Sequence, residues 1–148
     1  AMTSIGRINE VLEYDPTVKD LDPSEEAHLG PFQGLEFRDV SFCYPEADRP
    51  VLEHVSFTTR PGETTAIIGS TGSGKTTLIN LIPRIYDATG GQVLINGIDV
   101  RDLSQEELRS HLGVVPQKAL LFKGTIMENI RFGDDSASDE RMREAAAW

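Results

Sequence analysis

Eight residues constrain this chain more than any others: Gly69-Ser70-Thr71-Gly72-Ser73-Gly74-Lys75-Thr76. They match G-x-x-x-x-G-K-[ST], the phosphate-binding P-loop pattern. Glycines let the backbone wrap closely and direct several N–H groups at one anion. A helix opening at the loop adds its positive end. Lys75 is long enough to reach the β- and γ-phosphates of a nucleotide, and the Thr76 hydroxyl is a ligand for Mg2+. Thr77, next along, is counted with them as a binding residue. The pattern needs a buried strand before it and a helix after it. Residues 64–68 are predicted as that strand, because their run lacks alternation. A helix is predicted from about 75 to 86, with Pro83 interrupting its last turn.

The rest of the chain is compatible with one folded domain. It has 148 residues, 39% hydrophobic and 26% charged, which is enough apolar material for a core. Lys and Arg total 14 against 24 Asp and Glu, a net charge of -10. That balance argues against broad binding to a nucleic-acid backbone. It leaves open a nucleotide held locally by one loop and one lysine. Cys43 is the single cysteine, so neither a disulfide framework nor a multi-cysteine zinc site is available, and a reducing setting fits. No apolar run approaches the roughly 18 residues that span a bilayer, and these residues show no basic-then-apolar signal-peptide pattern. The chain opens on Ala1 and stops at Trp148 inside a helical pattern, which suggests a piece of a longer protein.

Around the loop the pattern reads as α/β. Residues 1–13 carry Ile5, Ile8, Val11 and Leu12 on one helical face. Residues 14–34 read as an acidic linker punctuated by Pro16, Pro23 and Pro31. Two strands follow, over 35–44 and 51–59, expected to pair antiparallel. Residues 92–95 form another strand, closed by Asn96-Gly97. Ser104 with Glu107 and Thr125 with Glu128 have capping-box spacing, predicting helices over 105–112 and near 127–131. Val114-Val115 is a brief strand, and Ser138 opens a third helix.

Taken together these residues resemble the nucleotide-binding domain of an ATP-binding cassette (ABC) transporter, from about residue 35 onward. The fold implied is a P-loop NTPase core with an N-terminal antiparallel β-subdomain, cut before its helical subdomain is complete. In that family an aromatic residue stacks on adenine, and Tyr44 in Phe42-Cys43-Tyr44-Pro45 matches its place. Stacking holds a flat base with little demand on its edge. Val114-Val115-Pro116-Gln117 resembles the Q-loop, whose Gln approaches Mg2+ and the attacking water, so Gln117 joins Lys75 as a catalytic residue and Thr76 as a metal ligand. Residues 122–130 resemble an exporter stretch that lies beside coupling helices. The resemblance therefore implies ATP and Mg2+ as cofactors. It implies a second nucleotide-binding domain and the transmembrane-domain coupling helices as partners, and a place at the cytoplasmic face of the cell membrane. Residues 1–13 become the end of the preceding transmembrane-domain helix, 14–34 the linker, and 35–148 the N-terminal part of the nucleotide-binding domain.

Several family parts are missing from these residues. There is no L-S-G-G-Q signature, since Gly90-Gly91-Gln92 follows Ala88-Thr89. There is no apolar run ending in Asp-Glu, since Asp139-Glu140 follows Ser136-Ala137-Ser138. His28, His54 and His111 all precede the Q-loop, so none is the late switch histidine. The chain should therefore bind ATP yet turn it over little by itself, while its parent hydrolyses ATP and drives transport. It should also expose apolar sheet surface. Two alternatives stay open: a soluble ABC-type ATPase, and a non-catalytic nucleotide-binding regulatory module. A P-loop GTPase is disfavoured, because Asn96-Gly97-Ile98-Asp99 lacks the Lys of N-K-x-D and follows the loop too closely.

Overall fold

The computed structural model describes residues 12–13, 16–19, 27–118, 120–134 and 136–147. The helix expected over 1–13 lies outside these residues except for Leu12 and Glu13. The chain divides into two units, residues 1–113 and 114–148.

The first unit is built on strand β1 (Leu35–Phe42), strand β2 (Leu52–Thr59), helix α1 (Lys75–Leu81), strand β3 (Gly90–Ile95), strand β4 (Ile98–Asp99), a 3-10 turn (Val100–Asp102) and helix α2 (Gln105–Ser110). The strands form one antiparallel sheet in the order β2-β1-β3-β4. The expected pairing of the first two strands is therefore present. It is not a plain alternation. Three steps along β1 from Phe37 to Val40 match two along β2, three from Arg38 to Ser41 match two along β3, and Asp39 takes the left-handed φ of 53°. This extra residue is a bulge, and it lets Phe37, Val40 and Phe42 all turn to the core despite their uneven spacing. A compensating bulge in β2 falls at His54, φ 51°. Phe37 stacks on its cross-strand partner Phe57 with centroids 4.6 Å apart. The predicted Asn96-Gly97 turn joins β3 to β4, with both residues at positive φ (54° and 80°). Leu78 and Leu81 of α1, Val93 and Ile95 of β3, Val100, Leu103 and Leu108 complete the core.

Helix α1 stops five residues short of the expected end. Its close is a Schellman arrangement: Arg84 N–H donates to Leu81 O (3.3 Å) and Ile85 N–H to Asn80 O (3.0 Å), with Arg84 at φ 53°. A left-handed residue other than glycine costs about 1–2 kcal/mol. The buried Arg84 side chain offsets this by donating to Asp87 Oδ1 (2.8 Å), Leu103 O (3.2 Å) and Lys19 O (2.8 Å). Lys19 belongs to the stretch read as linker, and that stretch is fastened again further on. Leu29 is buried in the core, and its N–H donates to the Glu107 carboxylate at 2.8 Å. Asn96 brackets residues 30–33 through Gly30 O, Pro31 O and the Gln33 N–H. The Glu107 carboxylate serves Leu29, so Ser104 and Glu107 make half a capping box: Ser104 Oγ accepts from Glu107 N–H at 3.3 Å.

Two predicted strands are not observed. Residues 63–70 pair with no strand among the described residues, and Ile68 is 93% exposed. Val114 and Val115 are likewise unpaired, Val115 at 96% exposure. A strand exists only as one side of a ladder, and for these runs the described residues supply no other side.

The second unit holds helices α3 (Ile126–Arg131) and α4 (Asp139–Ala146). Here the capping box is complete. Thr125 Oγ accepts from Glu128 N–H (3.2 Å), and the Glu128 carboxylate accepts from Thr125 N–H (2.6 Å). Asn129 closes the preceding loop onto α3. Its side chain accepts from Phe122 N–H (2.7 Å) and donates to Phe122 O (3.0 Å) and Thr125 O (2.9 Å). Phe122 stacks on Phe132 at 4.3 Å. Ser138 caps α4, which buries Met142. Among the described residues no helix is long and apolar enough to cross a membrane.

Candidate nucleotide site

The glycine-rich loop enters α1 through Gly74, the N-cap residue, at φ 87° and ψ 3°. Gly72 also has a left-handed φ of 81°. Left-handed positions beside right-handed ones turn successive N–H groups toward a common centre, the backbone form of an anion site. Gly74 is required twice. A Cβ there would lie 2.9 Å from Leu52 Cδ2 and 3.1 Å from Val51 O. The start of β2 therefore presses against the mouth of the helix, a contact that sequence reasoning missed. At Gly69 a Cβ would come within 2.5 Å of Ser73 Oγ.

Lys75 folds back over this loop. Its Nζ donates to Gly69 O (2.7 Å), Ser70 O (2.6 Å) and Ser73 Oγ (3.3 Å). The three donors of the ammonium are thus gathered on the loop itself. The Thr76 side chain is exposed, whereas Thr77 is buried at 6% exposure. Ser70, Thr71 and Gly72 form the exposed crest.

Tyr44 comes to this helix from the end of β1. Its hydroxyl shares a 2.9 Å hydrogen bond with Thr77 Oγ1. Its ring meets Phe42 edge to face at 4.8 Å and Tyr86 at 5.3 Å. Tyr86 was readable only as the tail of a helix; the signal was an aromatic just past Pro83 in a chain with three tyrosines. A cleft of about 290 Å3 borders two of these aromatics, lined by Thr17, Val18, Phe42, Cys43 and Tyr86 among others. Gln117 is exposed and belongs to the second unit. The first unit thus brings Tyr44, the loop, Lys75 and Thr77 together.

A glycine-rich loop of this sequence and geometry at the mouth of a helix defines the P-loop class of nucleotide-binding proteins. Within that class the chain belongs to the ABC transporter family, whose sequence profile matches residues 52–148. It is 46% identical over 145 residues to a probable multidrug resistance ABC transporter ATP-binding/permease protein of Bacillus subtilis, covering 98% of this chain and 21% of that protein. It is 41% identical over 140 residues to an ATP-dependent lipid A-core flippase of Syntrophus aciditrophicus, covering 95% of this chain and 23% of the other. Its structure matches that of a bacterial Atm1-family ABC exporter with ATP bound at a TM-score of 0.88, with 35% identity over 97% of this chain and 25% of that one. The chain spans about a fifth to a quarter of the length of these relatives.

Proposed function

We propose that the chain is the ATP-binding portion of an ABC exporter subunit, which couples ATP binding and hydrolysis to movement of a substrate across a membrane. The observation that carries this is the loop. Gly72 and Gly74 supply its left-handed turns, and Lys75 Nζ sits on its carbonyls within reach of an incoming phosphate. The kinship to ATP-binding/permease proteins and to an exporter structure with ATP bound supports the same reading.

The residues fit Mg-ATP. The loop amides and Lys75 would hold the phosphates, exchanging the ammonium's bonds to Gly69 O and Ser70 O for bonds to phosphate oxygen. The exposed Thr76 hydroxyl would ligate Mg2+. Gln117 would join Thr76 at the ion; among the described residues no three His, Cys, Asp or Glu side chains gather as a metal cluster. When bound, Mg2+ neutralises charge developing on the phosphoryl group. Tyr44 would carry the adenine ring. Gln117 would orient water and couple the site to the coupling helices of a transmembrane domain at the cytoplasmic face. A second nucleotide-binding domain would complete the catalytic arrangement, because these 148 residues carry neither an L-S-G-G-Q signature nor an apolar run ending in Asp-Glu.

The test is ATP turnover by the full-length protein in a membrane, compared with binding and turnover by residues 1–148. The expected result is hydrolysis by the full-length protein that is lost on Lys75→Ala, and ATP binding with negligible turnover by the shorter chain. Multiple turnovers by the shorter chain, lost on the same substitution, would overturn the division of labour. An unaffected Lys75→Ala protein would overturn the site.

A further inference from the structure

We infer that Thr77 is a positioning residue for the base platform: its hydroxyl fixes where the Tyr44 ring stands, and so ties base recognition to the phosphate-binding helix. This rests on the reading of Tyr44 as the adenine platform. The two residues are 33 positions apart, and their hydroxyls are 2.9 Å apart. Helix α1 divides its first residues between two tasks. Thr76 is exposed, while Thr77 turns inward with Leu78 and Leu81. A hydroxyl on the buried face of a helix needs a partner, and a valine of the same shape would not. The partner here is Tyr44.

The geometry of a tyrosine makes this bond informative. The hydroxyl lies on the axis about which the ring spins. Fixing it therefore fixes the position of the ring but not its plane. The plane is set by the edge-to-face contacts with Phe42 (interplanar 85°) and Tyr86 (86°). Position comes from the phosphate helix and plane from the aromatic neighbours. A ring held in both ways loses little freedom when a base stacks on it. The consequence is a selectivity. Thr77 should matter to a nucleotide that carries a base and much less to a bare chain of phosphates.

The experiment compares ATP with inorganic tripolyphosphate as ligands of the full-length protein, by displacement of a fluorescent ATP analogue without Mg2+, so that nothing is hydrolysed. The readout is the ratio of the two affinities. Thr77→Val should lower the preference for ATP by about three- to tenfold, the size of one ordinary hydrogen bond. Tyr44→Phe should lower it by a similar factor, and the double variant by no more than either. Thr77→Ser, which keeps the hydroxyl, should restore the preference. Equal weakening of both ligands by Thr77→Val would make Thr77 a phosphate ligand and overturn the inference. So would losses in the two single variants that multiply in the double. The platform reading has its own control. If Tyr44→Ala leaves the ATP preference unchanged, that reading falls and takes this inference with it. If Tyr44→Ala destroys the preference while Thr77→Val and Tyr44→Phe leave it intact, only the inference falls.

Discussion

At the scale of single residues, the loop depends on Lys75 and Gly74 for different reasons. Lys75 contributes charge. Replacing it by Ala removes a charge-assisted contact to phosphate, and nucleotide affinity is expected to fall about tenfold to a hundredfold. Equilibrium binding measures this, with little change expected in the circular dichroism of the protein. Gly74 contributes conformation and space. Gly74→Ala would force a Cβ into a left-handed position 2.9 Å from Leu52 Cδ2. A loss of about 1–3 kcal/mol in unfolding free energy is expected, read from urea titration. Lys75 was identifiable from its place in the pattern. The second reason for Gly74 was not, because nothing in the sequence says that the chain returns at residues 51–52 to press on it.

At the scale of elements, two of the carboxyls held below their ordinary values tie local structure to pH. Burial pushes the Asp99 carboxyl upward. Hydrogen bonds from the Arg101 side chain and backbone, the charge of Arg101 and the Gln92 amide outweigh burial and hold it below its ordinary value of 3.8. A carboxylate depressed by folding stabilises the fold fully above its unfolded value and loses that contribution as pH falls through its folded one. The β3–β4 hairpin and 3-10 turn should therefore loosen only below about pH 3.8, and Asp99→Asn should abolish that part of the acid transition. Amide hydrogen exchange at Arg101 against pH measures it. In α3, the Thr125 backbone and hydroxyl hold the exposed Glu128 carboxyl below its ordinary value. Thr125→Ala should cost about 1 kcal/mol of local helix stability, seen as faster exchange at Glu128 and Asn129.

At the scale of the whole molecule, the first unit holds most of the buried core. Among its described residues the second shows two short helices and one buried methionine. Amides of β1 and β3 should exchange more slowly than any in residues 114–147, by mass spectrometry of exchanged peptides. Ile68 in the first unit, and Val115, Leu121 and Phe122 in the second, are apolar groups exposed to water. The free 148-residue chain is expected to self-associate at micromolar concentration. A sharp monomer in sedimentation velocity would contradict this.

The sequence alone determined the parts whose cause is local. The P-loop is a matter of eight consecutive residues, and the Thr125 cap of four. The antiparallel β1–β2 pair and the Asn96-Gly97 turn follow from short-range pattern. Such features need no distant partner, so neighbouring side chains suffice to specify them. Tertiary structure alone decided the rest. Residues 64–68 have the composition of a strand, but a ladder needs a second chain segment, and the described residues offer none. The run read as linker holds Leu29, which packs into the core, because Glu107 and Asn96 lie 78 and 63 positions beyond the groups they bind. Tyr44 was found as an aromatic. That its hydroxyl meets Thr77, 33 positions on, is fixed by where β1 ends relative to α1, a distance no run of sequence encodes.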